Sequence, residues 1–410
     1  QKNRSIPRPS TVFERRLLHA LLSAVGNPPL IVRLWDGETF GEVADAIGTL
    51  TVCDRGALVK LLTDPNFQFG EMYAENRLQV EGALDLIMSE LFRSIDRGSK
   101  STALWTKFMQ KIRPPRPTHM RASEDNIYHH YDIGNDFYSF WLDQQMAYTC
   151  AYFQRGDMSL EEAQIAKFDH VCRKVRLEAG MVVVEAGCGW GGLAMHMAEH
   201  YGVRVRAYNI SREQIAYAQE QARNRNLEDR VEFIEDDWRK IHDPCDAFVS
   251  VGMLEHVGRK NYKQLGAVVD RCLTADGRGL IHTIGQNRSQ PFSVWIERRI
   301  FPGAYTPTLG EMTSIFAPYD LSILDVENLR LHYAQTLRHW LQRFESHVAQ
   351  IEEKFDPTFV RMWRLYLAGS VAAFETGAYQ LYQVVFNRNG VNDIPRTREH
   401  LYIDDSQVHA

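Results

Sequence analysis

The spacing of apolar residues changes along the chain, and each change predicts a different kind of element. Residues 13–25 (FERRLLHALLSAV) place apolar side chains at helical intervals, and residues 30–37 (LIVRLWDG) read as a short strand. Residues 56–92 return to helical spacing. From about residue 160 helix and strand alternate. The helical stretch 159–175 (SLEEAQIAKFDHVCRKV) precedes the apolar run 181–192 (MVVVEAGCGWGG), and a helix at 193–201 leads to the strand VRVRAYNI at 203–210. A helix at 212–226, the strands VEFIEDD at 231–237 and DAFVSVGM at 246–253, a further helix and GLIHTIG at 279–285 complete the series. Such a succession predicts an α/β domain, a largely parallel sheet with helices on both faces, whose ligands bind at the carboxyl ends of the strands.

Between residues 98 and 121 the pattern breaks. Lys100, Lys107, Lys111, Arg113, Arg116 and Arg121 face no acid in that stretch, and Pro114, Pro115 and Pro117 stop any helix. The expected organisation is therefore a smaller mixed domain over 1–98, a basic, proline-rich linker over 99–121 and a catalytic domain over 122–410. Within the linker, Leu104, Trp105, Phe108, Met109 and Ile112 fall on one side of a helix with lysines between them, a basic amphipathic segment suited to an anionic lipid surface or to packing on the protein itself.

Composition narrows the function. The 410 residues are 44% hydrophobic with a net charge of -5, which supplies a core and gives no overall attraction to nucleic acid. The six cysteines are scattered, without metal-ligand or disulfide spacing, as in a reducing cytoplasm. No apolar run approaches the roughly 18 residues that span a bilayer, and the start QKNRSIPRPS lacks an apolar signal stretch, so neither a membrane span nor an export address is expected.

Candidate chemistry begins with Gly187, Gly189 and Gly192, which follow a β-branched run and open a helix. Glycines allow a sharp turn and close approach to a ligand, and the pattern alone fits a dinucleotide site as well as any other nucleoside. Glu185, just before the first glycine, repels a pyrophosphate and suits a cationic ligand such as S-adenosylmethionine. Asn209 ends the second strand where a ribose-binding acid often stands, and Asp236, Asp237 and Trp238 offer an acceptor and a flat face to an adenine. Glu255 follows an apolar strand at the ligand-bearing edge. Among the aromatics after residue 290 (Phe292, Trp295, Phe301, Tyr305, Phe316, Tyr319, Trp340, Trp363, Tyr366 and Phe374), some are suited to a water-excluding tunnel, while a core role is the ordinary one for most.

Several separate motifs together resemble the cyclopropane fatty acyl phospholipid synthase family, which includes the mycolic acid cyclopropane synthases. They are FGEMY (69–73), HYDIGNDFY (130–138), YTCAYF (148–153), EAQIAK (162–167), GCGWGG (187–192), SVGMLEHVG (250–258), IHTIG (281–285), IFPG (300–303) and HYAQTL (332–337), and the resemblance runs from about Phe67 to Asn387. It implies a Rossmann-like S-adenosylmethionine-dependent methyltransferase fold and methylene transfer to the cis double bond of an unsaturated phospholipid acyl chain, with bound bicarbonate as base. By position, Cys150, Glu255, His282 and Tyr333 would cradle the bicarbonate, helped by the backbone at Val251 and Gly252. Cofactor contacts would fall on Tyr131, Tyr148, Thr149, Glu185, Gly187, Gly189, Asn209, Ile210, Gln214, Asp237 and Trp238. No metal is implied. The expected setting is cytoplasmic, peripheral to the inner face of the cell membrane, with either a monomer or a homodimer open. Methyl transfer without ring closure and a lipid carrier with a vestigial nucleotide site are the competing readings, and an intact set of Glu255 and His282 favours ring closure.

Overall fold

The computed structural model describes residues 8–41, 44–97, 133–290 and 292–402. Contacts divide the chain into two compact units, and the division is discontinuous. Of the described residues, one unit contains 8–41, 44–97, 292–300 and 337–378, and the other contains 133–290, 301–336 and 379–402. Two stretches of the sequence beyond residue 290 therefore fold with N-terminal residues, whereas the linear pattern suggests a division at the basic linker. That linker, 99–121, lies outside the described residues, as does Tyr131.

In the first unit a four-stranded sheet runs in the order β2-β1-β3-β4, with β1 at Ile31–Leu34, β2 at Thr39–Phe40, β3 at Thr49–Val52 and β4 at Leu78–Glu81. Strands β1 and β3 are parallel and the other pairs antiparallel. The helical spacing over 56–92 resolves into helices Arg55–Thr63, Pro65–Ala74 and Leu84–Arg97 interrupted by β4. Val32, Leu34, Leu50 and Val52 meet Leu58, Leu61, Met72 and Ile87 in one buried cluster. Helix Pro357–Thr376 belongs to this unit and packs on helices Pro65–Ala74 and Leu84–Arg97. Trp295, Trp340, Trp363, Tyr366 and Phe374 are buried in the same unit, the ordinary fate of large aromatic side chains.

The second unit carries a seven-stranded sheet ordered β10-β11-β9-β8-β5-β6-β7. Its strands are β5 (Val182–Ala186), β6 (Arg204–Asn209), β7 (Val231–Glu235), β8 (Cys245–Val251), β9 (Leu273–Gly285), β10 (Leu321–Asn328) and β11 (Gln380–Arg388). Strands β9, β8, β5, β6 and β7 are parallel to one another, and β11 enters antiparallel between β9 and β10. Successive residues feed opposite faces, as the pleat requires. Val183, Val205, Ala207 and Leu280 join one buried cluster with helices Leu160–Lys174 and Gly192–Tyr201, while Val184, Tyr208 and Ile281 join the other with helix Tyr262–Cys272. The order reverses between β5 and β8, and a crevice opens at such a switch point beyond the carboxyl ends of the strands.

Helix Leu160–Lys174 starts at a capping box in which Ser159 and Glu162 satisfy each other's backbone N–H groups. Its buried face is unusual. Gln164, Lys167, His170 and Lys174 recur at helical spacing and are all buried, so a polar stripe turns inward where an apolar one is the norm.

Candidate active site

A cleft lies at the switch point. Ten of the expected cofactor residues line it: Tyr148, Thr149, Glu185, Gly187, Gly189, Asn209, Ile210, Gln214, Asp237 and Trp238. Val251 and Gly252 line it too. Most of them come from the end of a strand or the loop beyond it, Gln214 from the first turn of helix Arg212–Asn224, and Tyr148 and Thr149 from the segment before helix Leu160–Lys174.

The glycine turn is built for close approach. Gly187 has φ +86°, and a Cβ there would stand 2.8 Å from Met253 Cβ, so packing alone excludes a side chain. Gly189, at φ +55°, has nothing described within 4 Å of a Cβ position, so a side chain there would project into the cleft. Asn209 holds this loop, donating from Nδ2 to Gly189 O at 3.2 Å and to Gln214 Oε1 at 2.7 Å. The adenine-side acceptor is partly engaged, because Asp237 receives both the Arg239 backbone N–H and its guanidinium, each at 2.8 Å. The Arg239 guanidinium also lies 4.6 Å from the centre of the Trp238 ring.

Glu185 and Lys167 both line the cleft, and each acts electrostatically on the other. Burial pushes the Glu185 carboxyl up to about 8, an effect that Lys167 partly offsets, and burial lowers Lys167 to about 8. Glu185 Oε2 has no hydrogen-bond partner among the described residues, as suits a carboxylate that accepts from a cationic ligand. Lys167 donates to Thr149 Oγ1 at 2.8 Å. Lys167 was not among the expected site residues, although it closes the EAQIAK motif. The signal available in the sequence was that motif.

The four cradle residues are all buried, and the structure links them in two pairs. Gly252 N donates to His282 O at 2.9 Å, and Ile284 N, two residues along the same strand, donates to Glu255 Oε1 at 2.6 Å. The Gly252 N–H is thus already used by the protein. Glu255 Oε2 lacks a partner among the described residues, since the nearby Thr283 hydroxyl donates to Ile284 O at 3.1 Å. Burial drives the Glu255 carboxyl up to about 7. The Cys150 sulfur lies 3.9 Å from Leu329 O, the carbonyl that also accepts from Tyr333 N at 3.1 Å. Desolvation raises the Cys150 thiol and keeps it protonated, hence a weak donor and no nucleophile. His282 is held well below its ordinary range, first by desolvation and then by Lys167, Lys174 and His170.

Residues 118–384 match the model of the mycolic acid cyclopropane synthetase family. The chain belongs to that family. It is an S-adenosylmethionine-dependent methyltransferase with the corresponding fold. Residues 17–102 match a separate domain family of unknown function. The chain is 36% identical to a probable fatty acid methyltransferase of Pseudomonas putida, over 91% of this chain and 96% of that protein. It is 40% identical to the cyclopropane-fatty-acyl-phospholipid synthase of Escherichia coli K12, over 65% and 68%. The solved mycolic acid cyclopropane synthase CmaA1, in complex with SAH and CTAB, superposes with a TM-score of 0.61 at 31% identity, covering 64% of this chain and 97% of that one.

Proposed function

We propose that the protein transfers a methylene group from S-adenosylmethionine to the cis double bond of an unsaturated phospholipid acyl chain, closing a cyclopropane, with bicarbonate as the base. S-adenosylmethionine supplies an electrophilic methyl group, and bicarbonate supplies an acceptor for the proton that must leave that methyl before the ring closes. The observation that carries the reading is Glu255: a buried carboxyl in the short helix Leu254–Val257 that follows β8, one oxygen fixed by Ile284 N–H and the other without a partner among the described residues. That unpartnered oxygen suits the O–H of a bound bicarbonate, and His282 and Tyr333 are of the type to donate to its other oxygens. Cys150 fits as a buried thiol beside them.

The residues of the chain perform five tasks in this reading. Gly189 leaves room for the cofactor, Glu185 accepts from its cationic end, and Trp238 offers a flat face to its ring. Tyr148 packs at 5.2 Å from Trp141 and 6.3 Å from Phe301, forming an aromatic wall that excludes water and stabilises positive charge by its ring quadrupoles. Glu255, His282, Tyr333 and Cys150 hold the base.

The substrate lies in a bilayer, whereas no helix among the described residues is long and apolar enough to cross one. Docking at an anionic inner membrane surface is assigned to the basic segment 100–121, whose lysines and arginines each contribute up to about 1 kcal/mol there while Trp105 and Phe108 insert.

A second reading, methyl transfer without ring closure, is favoured by the likeness over most of the chain to a probable fatty acid methyltransferase. One assay separates the two: incubation with S-adenosylmethionine and cis-unsaturated phospholipid, then mass and proton NMR analysis of the acyl chains. A gain of one CH2 with loss of olefinic protons supports cyclopropanation. A gain with a retained alkene or a methyl branch refutes it in favour of the second reading.

A further inference from the structure

Behind His282 the sheet carries a row of polar side chains that should not be there by burial alone. Glu327 on β10 pairs with Gln383 on β11, and Gln383 pairs with His282 on β9, so directly opposed side chains share one face. Gln383 is fully buried, and His282 is 1% exposed. Gln383 Nε2 lies 3.0 Å from His282 Nδ1, and Lys174 Nζ donates to Gln383 Oε1 at 2.7 Å. Lys174 also donates to Glu327 Oε2 at 2.5 Å, and the same oxygen meets His170 Nε2 at 2.7 Å.

The donor and acceptor inventory decides the direction of the chain. An ammonium can only donate, so Lys174 must face the amide oxygen of Gln383, which leaves the amide NH2 for His282. An amide NH2 can only donate, so Nδ1 of His282 must be the acceptor. A neutral imidazole accepting at Nδ1 carries its proton at Nε2. Glu327 in turn anchors Lys174, and against desolvation the His170 hydrogen bond, together with the Lys174 ion pair, holds the Glu327 carboxyl down to about 2.

We propose that Gln383, clamped by Lys174 and Glu327, is a positioning residue that fixes His282 as the neutral Nε2–H tautomer and so makes it a hydrogen-bond donor to the oxyanion of the reaction. The proposal rests on the reading of His282 as part of the base-holding cradle. The groups acting electrostatically on this imidazole are Lys167, Lys174, His170 and Glu327, of which only Glu327 favours the protonated ring. A wrong tautomer would present a lone pair to an anion, and enzymes lose rate steeply when a hydrogen-bonding neighbour enforces the wrong one.

The test uses full-length protein with 15N-labelled histidine, the His282 signals being assigned by their loss in His282→Gln. In wild type the shifts should report an unprotonated, accepting Nδ1 and a protonated Nε2 between about pH 6 and pH 8. A protonated Nδ1 overturns the proposal outright. In Gln383→Glu the neighbour becomes an acceptor, so the proton should move to Nδ1. Turnover should then fall by about 10- to 100-fold at nearly unchanged S-adenosylmethionine affinity, the usual effect of removing an orienting partner. Gln383→Leu, which removes the constraint without imposing the opposite one, should give mixed tautomers and an intermediate loss. Inverted tautomer with full turnover, alongside an inactive His282→Gln, would overturn the positioning role. Full turnover of His282→Gln would instead remove the cradle reading on which the proposal stands, and with it any donor role for the tautomer.

Discussion

Glu255 is ionised with difficulty, and that difficulty has a size. Its carboxyl sits at about 7 against an ordinary 4.5 because it is desolvated. At about 1.4 kcal/mol per pH unit, holding it ionised in the fold costs about 3 kcal/mol. The sign follows from the raised value. Below pH 4.5 the group is protonated in both folded and unfolded chains and costs nothing. As pH rises toward 7 the unfolded chain releases its proton and the folded one does not, so stability falls across that window and levels off above it. Glu255→Gln cannot titrate. Urea unfolding of ligand-free wild type and variant at about pH 5 and about pH 8 should therefore show wild type losing about 2–3 kcal/mol more than the variant between them. Activity should run the other way, because only the carboxylate accepts from bicarbonate. Wild-type kcat/KM should rise about tenfold per pH unit up to about 7 and then level, and Glu255→Gln should lose about 10²- to 10⁴-fold in turnover. An identical pH dependence of stability in the two proteins would refute the desolvated carboxyl. Full activity of the variant in decarbonated buffer would refute the bound base.

Other outcomes test other parts of the molecule. Gly189→Val puts a branched side chain into open cleft space at φ +55°, so calorimetry should show S-adenosylmethionine affinity lowered by at least about 100-fold, roughly 2.7 kcal/mol, and unchanged affinity would place the cofactor elsewhere. Phe386→Ala empties a fully buried site where the ring lies 5.0 Å from Phe316, which should cost about 3–5 kcal/mol in denaturant unfolding, and a loss below about 1 kcal/mol would mean that β11 is not a core strand. Reversing the charge of Lys107, Lys111 and Arg113 should abolish salt-sensitive sedimentation with anionic vesicles, while undiminished binding would move the docking role to another surface.

The sequence by itself was enough for the elements whose causes are local. Helices Gly192–Tyr201 and Arg212–Asn224 and strands β5 to β9 follow the hydrophobic period closely, because a helix or strand in a two-faced α/β unit must bury a predictable set of positions. The glycine turn was legible for the same reason. Gly187 and Gly189 lie within a few residues of the strand that presents them, and their positive φ values satisfy a demand that only the local backbone makes. Residues at the ends of β6, β7 and β8 could be placed at one crevice because parallel strands all deliver their carboxyl ends to the same edge.

The rest needed the third dimension. Strand β11 reads QLYQVVFNR and is buried on both faces, so it has no alternation from which the facing of Gln383 can be inferred. Polar residues within the helix Leu160–Lys174 look like a solvated face until the fold turns Lys167 inward beside Glu185 and Lys174 inward beside Glu327. Tertiary structure also assigned residues 292–300 and 337–378 to the compact unit that holds the N-terminal residues, which no linear change of composition marks. The last step is a matter of strand order. Entry of β11 antiparallel between β9 and β10 brings Glu327, Gln383 and His282 into one row across the sheet, and a register between segments so far apart in sequence is a property of the packed sheet and not of any segment within it.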